Sequence, residues 1–327
     1  MKIILNYWKI LEGVKMKYFI AHFPNDPKYW NIVPDLVDGV LISQKNLHTK
    51  NHRPTKLLKL MLEYGSKKVL KISNKITLMV DSGAYQYMSP DYEEIPISPE
   101  ELMELYRKLQ IDIGVHLDWP ITPNLDRKMI RKRYKTTIEN ALIFKELTEK
   151  EKYRKIKIIA VTQGLTPSMH KKCAETYVKL GFEYIGIGGL VPLLRFRTKY
   201  EEVYKIIDAV LSVTKNIKKI KIHLFGVGNI NILKKYKHLS EKLSFDNATP
   251  TLSAIKGDII FFNPHYERFN IAKNKSKIKR KIPCIYCPAC KKYGRNILKR
   301  GKREWNFGRA VHNYVHYKMF LNKLCGG

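Results

Sequence analysis

The sequence predicts an α/β fold, a (β/α)8 TIM barrel with a small C-terminal subdomain. Two observations carry this: short apolar runs alternate with longer amphipathic stretches, and the cysteines and cations gather near the end of the chain. A strand pattern begins at Tyr18, Phe19, Ile20 and Ala21, just after Met16. Residues 78–80, 113–117, 158–161, 184–187, 222–225 and 259–262 then read as buried strands, each mostly apolar and followed within a few residues by Gly, Asp, Pro or Asn. Helices fill the intervals. Ser98, Pro99 and Glu101 form a capping-box start for a helix running through Gln110, and Thr166 with Pro167 starts another that ends at Gly181. Strand, helix, strand at this spacing means parallel pairing, with enough units to close a barrel; a doubly wound open sheet is the alternative. The expected division is residues 1–265 for the barrel and 266–327 for a basic subdomain packed on it.

Composition restricts the function classes. A chain of 327 residues with 44% hydrophobic and 11% aromatic content buries a full core, which excludes a disordered protein. Its formal charge of +32, from 61 Lys+Arg against 29 Asp+Glu, repels itself unless a polyanion or salt screens it, so nucleic acid is the leading partner. A composition rich in lysine throughout is the competing explanation. Five cysteines, three of them clustered, and no secretory signal point to a reducing, cytoplasmic setting. Lys9, Glu12 and Lys15 interrupt the N-terminal apolar stretch, and no run is long and uncharged enough to cross a membrane. Either Met1 or Met16 serves as the start.

Polar residues stand where a barrel places its chemistry, at the C-terminal ends of strands. These are Asp81 in DSGAYQ, Asp118 in HLDWPITP, Gln163 in TQG, the Gly188, Gly189, Leu190 turn, and Asp246 in SFDNATP. Taken singly, an Asp before Ser-Gly is a turn former or helix cap, and GVGN after a strand is an anion nest. Near the C-terminus, Cys284, Cys287 and Cys290 followed by His312 have the donor types and spacing of a closed tetrahedral zinc site, with His316 one helical turn on as an alternative ligand. Cys173 reads as core. Around the cysteines, residues 271–303 hold thirteen Lys or Arg and no acid, interleaved with Tyr286 and Tyr293. Such a run grips phosphates or is simply solvated. Arg127, Lys128, Arg131, Lys132, Arg133 and Lys135 form a second basic cluster on one helix, either along the same track or on an outward face.

Together these motifs resemble the tRNA-guanine transglycosylase superfamily over roughly residues 16–325. DSGAYQ resembles its DSGGFQ signature, TQG its VQGG, IGIGGLVPLL its base-pocket loop, HLFGVGN its seventh barrel strand and SFDNATP its nucleophile segment. LDWPITP, VPLL and HLFG are closer to the archaeal, archaeosine-type branch than to the queuine branch. The cysteine cluster is similar to the family's zinc subdomain, although the usual first spacing is C-x-C. The resemblance implies base exchange at a nucleoside. Asp246 would trap C1′ as an ester, and Asp81 would protonate the departing guanine and deprotonate the incoming base. Asp118, Gln163 and the backbone of Gly188, Gly189 and Leu190 would hold the base beside Ser82, with Tyr85 stacked on it and Gly83 permitting close approach. Homodimers through the zinc region are common in the family.

Departures from the family bear on specificity. Val191, Pro192 and Leu193 stand where the bacterial branch has a Glu, which favours a neutral 7-cyano-7-deazaguanine over an aminomethyl base. Leu252 and Ile255 replace arginines that contact an anticodon loop, and no RNA-binding domain is expected beyond the zinc segment. The expected polymer is therefore DNA in preference to tRNA. Two other classes remain: a non-catalytic nucleic-acid binder, which needs no paired carboxylates, and a barrel enzyme holding a phosphorylated metabolite at GVGN, which leaves the charge and the cysteines unexplained.

Overall fold

Eight short apolar runs pair side by side in parallel and close on themselves, so the sheet is a barrel and not the open alternative. The computed structural model describes residues 16–49, 53–262, 265–284 and 287–326; the candidate start Met1 and Tyr286 of the basic zone lie outside them. The strands are β1 (Lys17–Ala21), β2 (Gly39–Ser43), β3 (Thr77–Asp81), β4 (Ile113–Val115), β5 (Lys157–Thr162), β6 (Tyr184–Ile187), β7 (Lys221–Leu224) and β8 (Leu243–Asn247). Closure sets β8 beside β1, with Phe19 opposite Asp246. Inside, Phe19, Leu41, Met79, Ile113, Val115, Ile159, Val161 and Tyr184 fill the lumen, making it a packed core.

Helices α1 (Lys56–Tyr64) and α2 (Ser66–Leu70) follow β2, α3 (Pro99–Leu109) follows β3, α4 (Arg127–Glu149) follows β4 and α5 (Pro167–Lys179) follows β5. Then α6 (Leu190–Leu194) and α7 (Tyr200–Thr214) follow β6, α8 (Ile230–Lys235) follows β7 and α9 (Thr249–Ile255) follows β8. The start of α3 is the capping box that its sequence implies: Ser98 Oγ accepts from Glu101 N at 3.1 Å and Glu101 Oε2 accepts from Ser98 N at 2.9 Å. Its buried face is Leu102, Met103, Tyr106 and Leu109. Helix α5 is capped by Thr166, carries Pro167 in its first turn and ends before Gly181, whose φ is +79°.

One strand lies elsewhere than expected. Residues 259–262 belong to β9 (Asp258–Phe262), which among the described residues pairs only with the antiparallel β10 (Tyr266–Asn270), outside the barrel. The barrel's eighth strand is instead the SFDN segment, and its second, Gly39–Ser43, is absent from the strands expected from the sequence. The expected division after residue 265 falls between β9 and β10. Helices α10 (Lys275–Lys279), α11 (Pro288–Tyr293) and the long α12 (Arg303–Gly326) complete the chain. Side chains of α12 occupy the free edge of β9: Asn313 Oδ1 accepts from Ile260 N at 2.8 Å and His316 Nδ1 from Phe262 N at 3.1 Å. Among the described residues no helix is long and apolar enough to cross a membrane.

Candidate active site

The C-terminal ends of the strands surround a cavity of about 640 Å³. Asp81, Ser82, Tyr85, Asp118, Gln163, Gly188, Gly189 and Asp246 all line it, brought together from β3, β8 and the loops after β3, β4, β5 and β6. Asp246 Oδ1 accepts from Gly226 N at 2.8 Å and lies 3.2 Å from His223 Nε2. Asp81 Oδ1 accepts from Gly83 N at 2.7 Å. Gly83 itself does not line the cavity; its φ of +69° makes the turn that returns its amide to Asp81, and a Cβ there would sit 3.0 Å from Lys45 N.

Electrostatics separate the carboxyls. Burial pushes the Asp81 carboxyl up to about 7, against hydrogen bonds from Ser43 and Gly83 that favour the anion; the charges of Asp246 and Asp118 push it further up. Ser43 stands opposite Asp81 in the β2–β3 register. Asp118 is pushed up to about 6, again chiefly by burial, with hydrogen bonds from Gln163 and Ser82 opposing. Gln163 Nε2 donates to Asp118 Oδ2 at 2.6 Å, and Ser82 Oγ lies 3.5 Å from Asp118 Oδ1. The other end of that amide, Gln163 Oε1, is buried with no hydrogen-bond partner among the described residues, and a buried acceptor of this kind is suited to a ligand donor. A Cβ on Gly188 would lie 2.5 Å from Gln163 Nε2, so only glycine leaves this amide in place.

Some expected residues lie off the cavity, and its lining includes others that no motif marks. The Leu190 side chain is fully buried in the core outside the barrel, leaving only its backbone near the site. Ser43, Phe225, Phe196 and an ion pair, Lys199 Nζ to Glu202 Oε2 at 3.0 Å, join the lining. Asp and Gly motifs drew attention to strand ends, whereas these residues carry no local signal. The GVGN loop is not a free anion nest: the Gly226 amide is bonded to Asp246, and Asn229 Oδ1 caps α8 by accepting from Asn231 N at 2.9 Å. In the basic helix α4, Arg127, Lys128, Arg131, Lys132 and Lys135 are exposed. Arg133, by contrast, is fully buried, its guanidinium bound to the carbonyls of Met88, Ser89, Tyr92 and Pro120. It is a tie between loops and no part of a phosphate track.

Away from the cavity, the cysteines converge with α12. Sγ of Cys287 and of Cys290 lie 3.5 and 3.3 Å from His312 Nδ1, and Cys284 lies in the same cluster. Hydrogen bonds from Cys284 and Cys287, with His312 adding to them, hold the Cys290 thiol well below its ordinary range. His312 Nε2 donates to Ile260 O at 2.9 Å, which leaves the Nδ1 lone pair facing the sulfurs. His316 is differently committed: its Nδ1 accepts from Phe262 N, so in the neutral ring the proton sits on Nε2. Three thiols and one oriented imidazole nitrogen are a donor set that fits a tetrahedral metal, with His312 as the histidine.

Comparison with known proteins agrees with this geometry. A family model described as queuine tRNA-ribosyltransferase matches residues 35–324. The tRNA-guanine(15) transglycosylase of Methanococcus aeolicus is 29% identical over 245 residues, covering 74% of this chain and 35% of that protein, and the one from Methanocaldococcus jannaschii gives the same figures. The enzyme of that name from Thermococcus onnurineus is 26% identical over 306 residues, 91% of this chain and 48% of that protein. The chain thus spans between 35% and 48% of the length of these curated relatives. A match that runs from before β2 into α12, through every strand end of the cavity, places the chain in the queuine tRNA-ribosyltransferase family of the tRNA-guanine transglycosylase superfamily.

Proposed function

We propose that this chain is a glycosyltransferase that exchanges guanine in a nucleic acid for a 7-deazaguanine. The observation that carries the reading is the pairing of Asp246 and Asp81 in one cavity, with Asp81 pushed up to about 7. At neutral pH such a carboxyl is part protonated, so it can give a proton to the departing guanine and later take one from the incoming base. Asp246, bonded among the described residues through Oδ1 only, is the nucleophile that holds C1′ as an ester between these steps. Asp118 and the unpartnered Gln163 Oε1 accept from base N–H groups, Ser82 steadies Asp118, the Gly188 to Leu190 backbone completes the pocket, and Tyr85, half exposed at the cavity edge, stacks on the purine.

The base is the neutral 7-cyano-7-deazaguanine, because Val191, Pro192 and Leu193 make that wall apolar and Glu202 is engaged by Lys199. Zn²⁺ in the cluster of Cys284, Cys287, Cys290 and His312 would be structural, holding α11 and α12 to β9. For the polymer, the names of the relatives favour tRNA. A second reading, DNA, draws support from Leu252 and Ile255, which stand exposed on α9 in place of polar anticodon contacts.

Incubation with labelled 7-cyano-7-deazaguanine and either bulk tRNA or duplex DNA tests the proposal and separates its two forms. Label is expected in one polymer, and Asp246→Ala is expected to reduce incorporation by at least about 10³-fold while the polymer is still retained. Label in neither polymer would sink the reading.

A further inference from the structure

We infer that His223 is a positioning residue for Asp246, held in place by a buried hydrogen-bond chain that crosses the barrel interior from Asp246 through His223 and Ser244 to Tyr184. The inference rests on the base-exchange reading. His223 is fully buried on β7, its ring centroid 4.4, 5.6 and 6.3 Å from those of Phe225, Phe19 and Tyr184. An imidazole in such a lumen destabilises the fold unless both nitrogens find partners. Strand register supplies them. Ser244 pairs directly with His223 across β7 and β8, and Asp246, two residues further along β8, points to the same face.

Asp246 Oδ1 already accepts from Gly226 N, so His223 Nε2 is the donor toward it. Tyr184 Oη and Ser244 Oγ are 2.6 Å apart, Ser244 Oγ and His223 Nδ1 2.8 Å, and His223 Nε2 and Asp246 Oδ1 3.2 Å. Burial pushes the Tyr184 hydroxyl up to about 12, so it remains a donor at neutral pH. Nε2–H donates to Asp246; the Ser244 hydroxyl faces both Nδ1 and, at 3.2 Å, the Ile222 carbonyl, and either Ser244 or Tyr184 is the donor of the bond between them. The ring therefore carries a proton on Nε2.

The outcome falls on the nucleophile. The donors from His223 and Gly226 converge on Oδ1, and among the described residues Oδ2 receives none. Two donors on one oxygen fix the plane of the carboxylate and leave the other oxygen to attack. In the first step the bond from C1′ to the base nitrogen breaks, its electron pair leaves with the base, which gains a proton, and the bond from C1′ to Oδ2 forms. Oδ1 becomes the ester carbonyl and keeps both donors. In the second step the C1′–Oδ2 pair returns to the carboxylate as the incoming base bonds to C1′ and gives up its proton. His223 contributes alignment and a donor ready for the returning charge.

The experiment compares wild type with His223→Phe, His223→Gln and Ser244→Ala in base exchange, with melting temperatures and 15N-histidine NMR alongside. His223→Phe keeps the ring volume and loses the donor; kcat is expected to fall about 10²-fold with KM for the base within about threefold, the pattern of a group that acts after binding. His223→Gln restores a donor and is expected to recover at least about tenfold of that loss. The wild-type signal removed by His223→Gln should report a proton on Nε2, and Ser244→Ala, which removes the hydroxyl beside Nδ1, should shift the Nδ1 signal. A folded His223→Phe with wild-type kcat, a Gln variant no better than Phe, or a wild-type Nδ1–H tautomer each overturns the inference. If His223→Phe does not fold, Ser244→Ala and the tautomer decide it. Exchange absent from wild type too would remove the base-exchange reading itself, whereas failure of the inference alone leaves wild type active.

Discussion

In the proposed exchange Asp81 acts as an acid and then as a base within one turnover, and its surroundings push its carboxyl up to about 7, where both forms exist. Protonated Asp81 and ionised Asp118 together predict a narrow bell for kcat/KM, rising as pH climbs through about 6 and falling through about 7. A stability effect follows with a definite sign. The folded state binds the Asp81 proton more tightly than the unfolded chain does, so the contribution is present at pH 4 and is lost as pH rises through about 7. Asp81→Asn is therefore expected to stabilise the protein by about 1–3 kcal/mol at pH 8, discounted because the side chain is only partly buried, and by little at pH 4. Melting temperatures across that range check this; a constant difference between variant and wild type would contradict it. Asp81, Asp118, Gln163 and Asp246 were legible because polar residues that interrupt apolar runs stand out locally. Ser43 and His223 were not, since the partner that gives each its meaning lies on a neighbouring strand.

At the scale of one element, α4 shows charge masking periodicity. Its buried face runs through Arg133, Thr137, Asn140, Ala141, Phe144 and Leu147, so Arg133 is in phase with the core although it sits within a basic run. Its guanidinium lies 4.9 Å from the Trp119 ring centroid and binds carbonyls of the loops after β3 and β4, which follow Asp81 and carry Asp118. Arg133→Met is expected to cost about 2–4 kcal/mol, because several buried carbonyls lose their donor together. Unfolding in urea measures it, and a Met variant as stable as wild type would show that the tie contributes nothing. The capped helices α3 and α5 were readable to within a residue or two, since their start signals are local.

Across the whole molecule, the C-terminal unit is joined to the barrel by polar ties as well as apolar contact. Lys318 pairs with Asp38, whose Oδ2 also accepts from Tyr18 N at 3.0 Å, and Tyr314 Oη donates to Leu36 O at 2.8 Å. His312 serves both sides, with Nδ1 toward the sulfurs and Nε2 on β9. Metal removal should therefore loosen α11, α12 and β9 together. Chelation is expected to release about one equivalent of zinc per chain and to lower the melting temperature by several degrees; an unchanged melt after complete release would show that the cluster does not hold this unit in place.

The amino-acid order by itself determined the alternation of strand and helix, the caps of α3 and α5, the four polar strand ends and the cysteine spacing, because each is written in neighbouring residues. Only the tertiary structure decided that β9 stands outside the barrel, that Arg133 turns inward, that His312 Nδ1 faces the Cys287 and Cys290 sulfurs while His316 Nδ1 is taken by β9, and that His223 reaches Asp246. Each of these depends on register and edge pairing between segments distant in the chain, where one residue of shift exchanges the inward and outward faces of a strand.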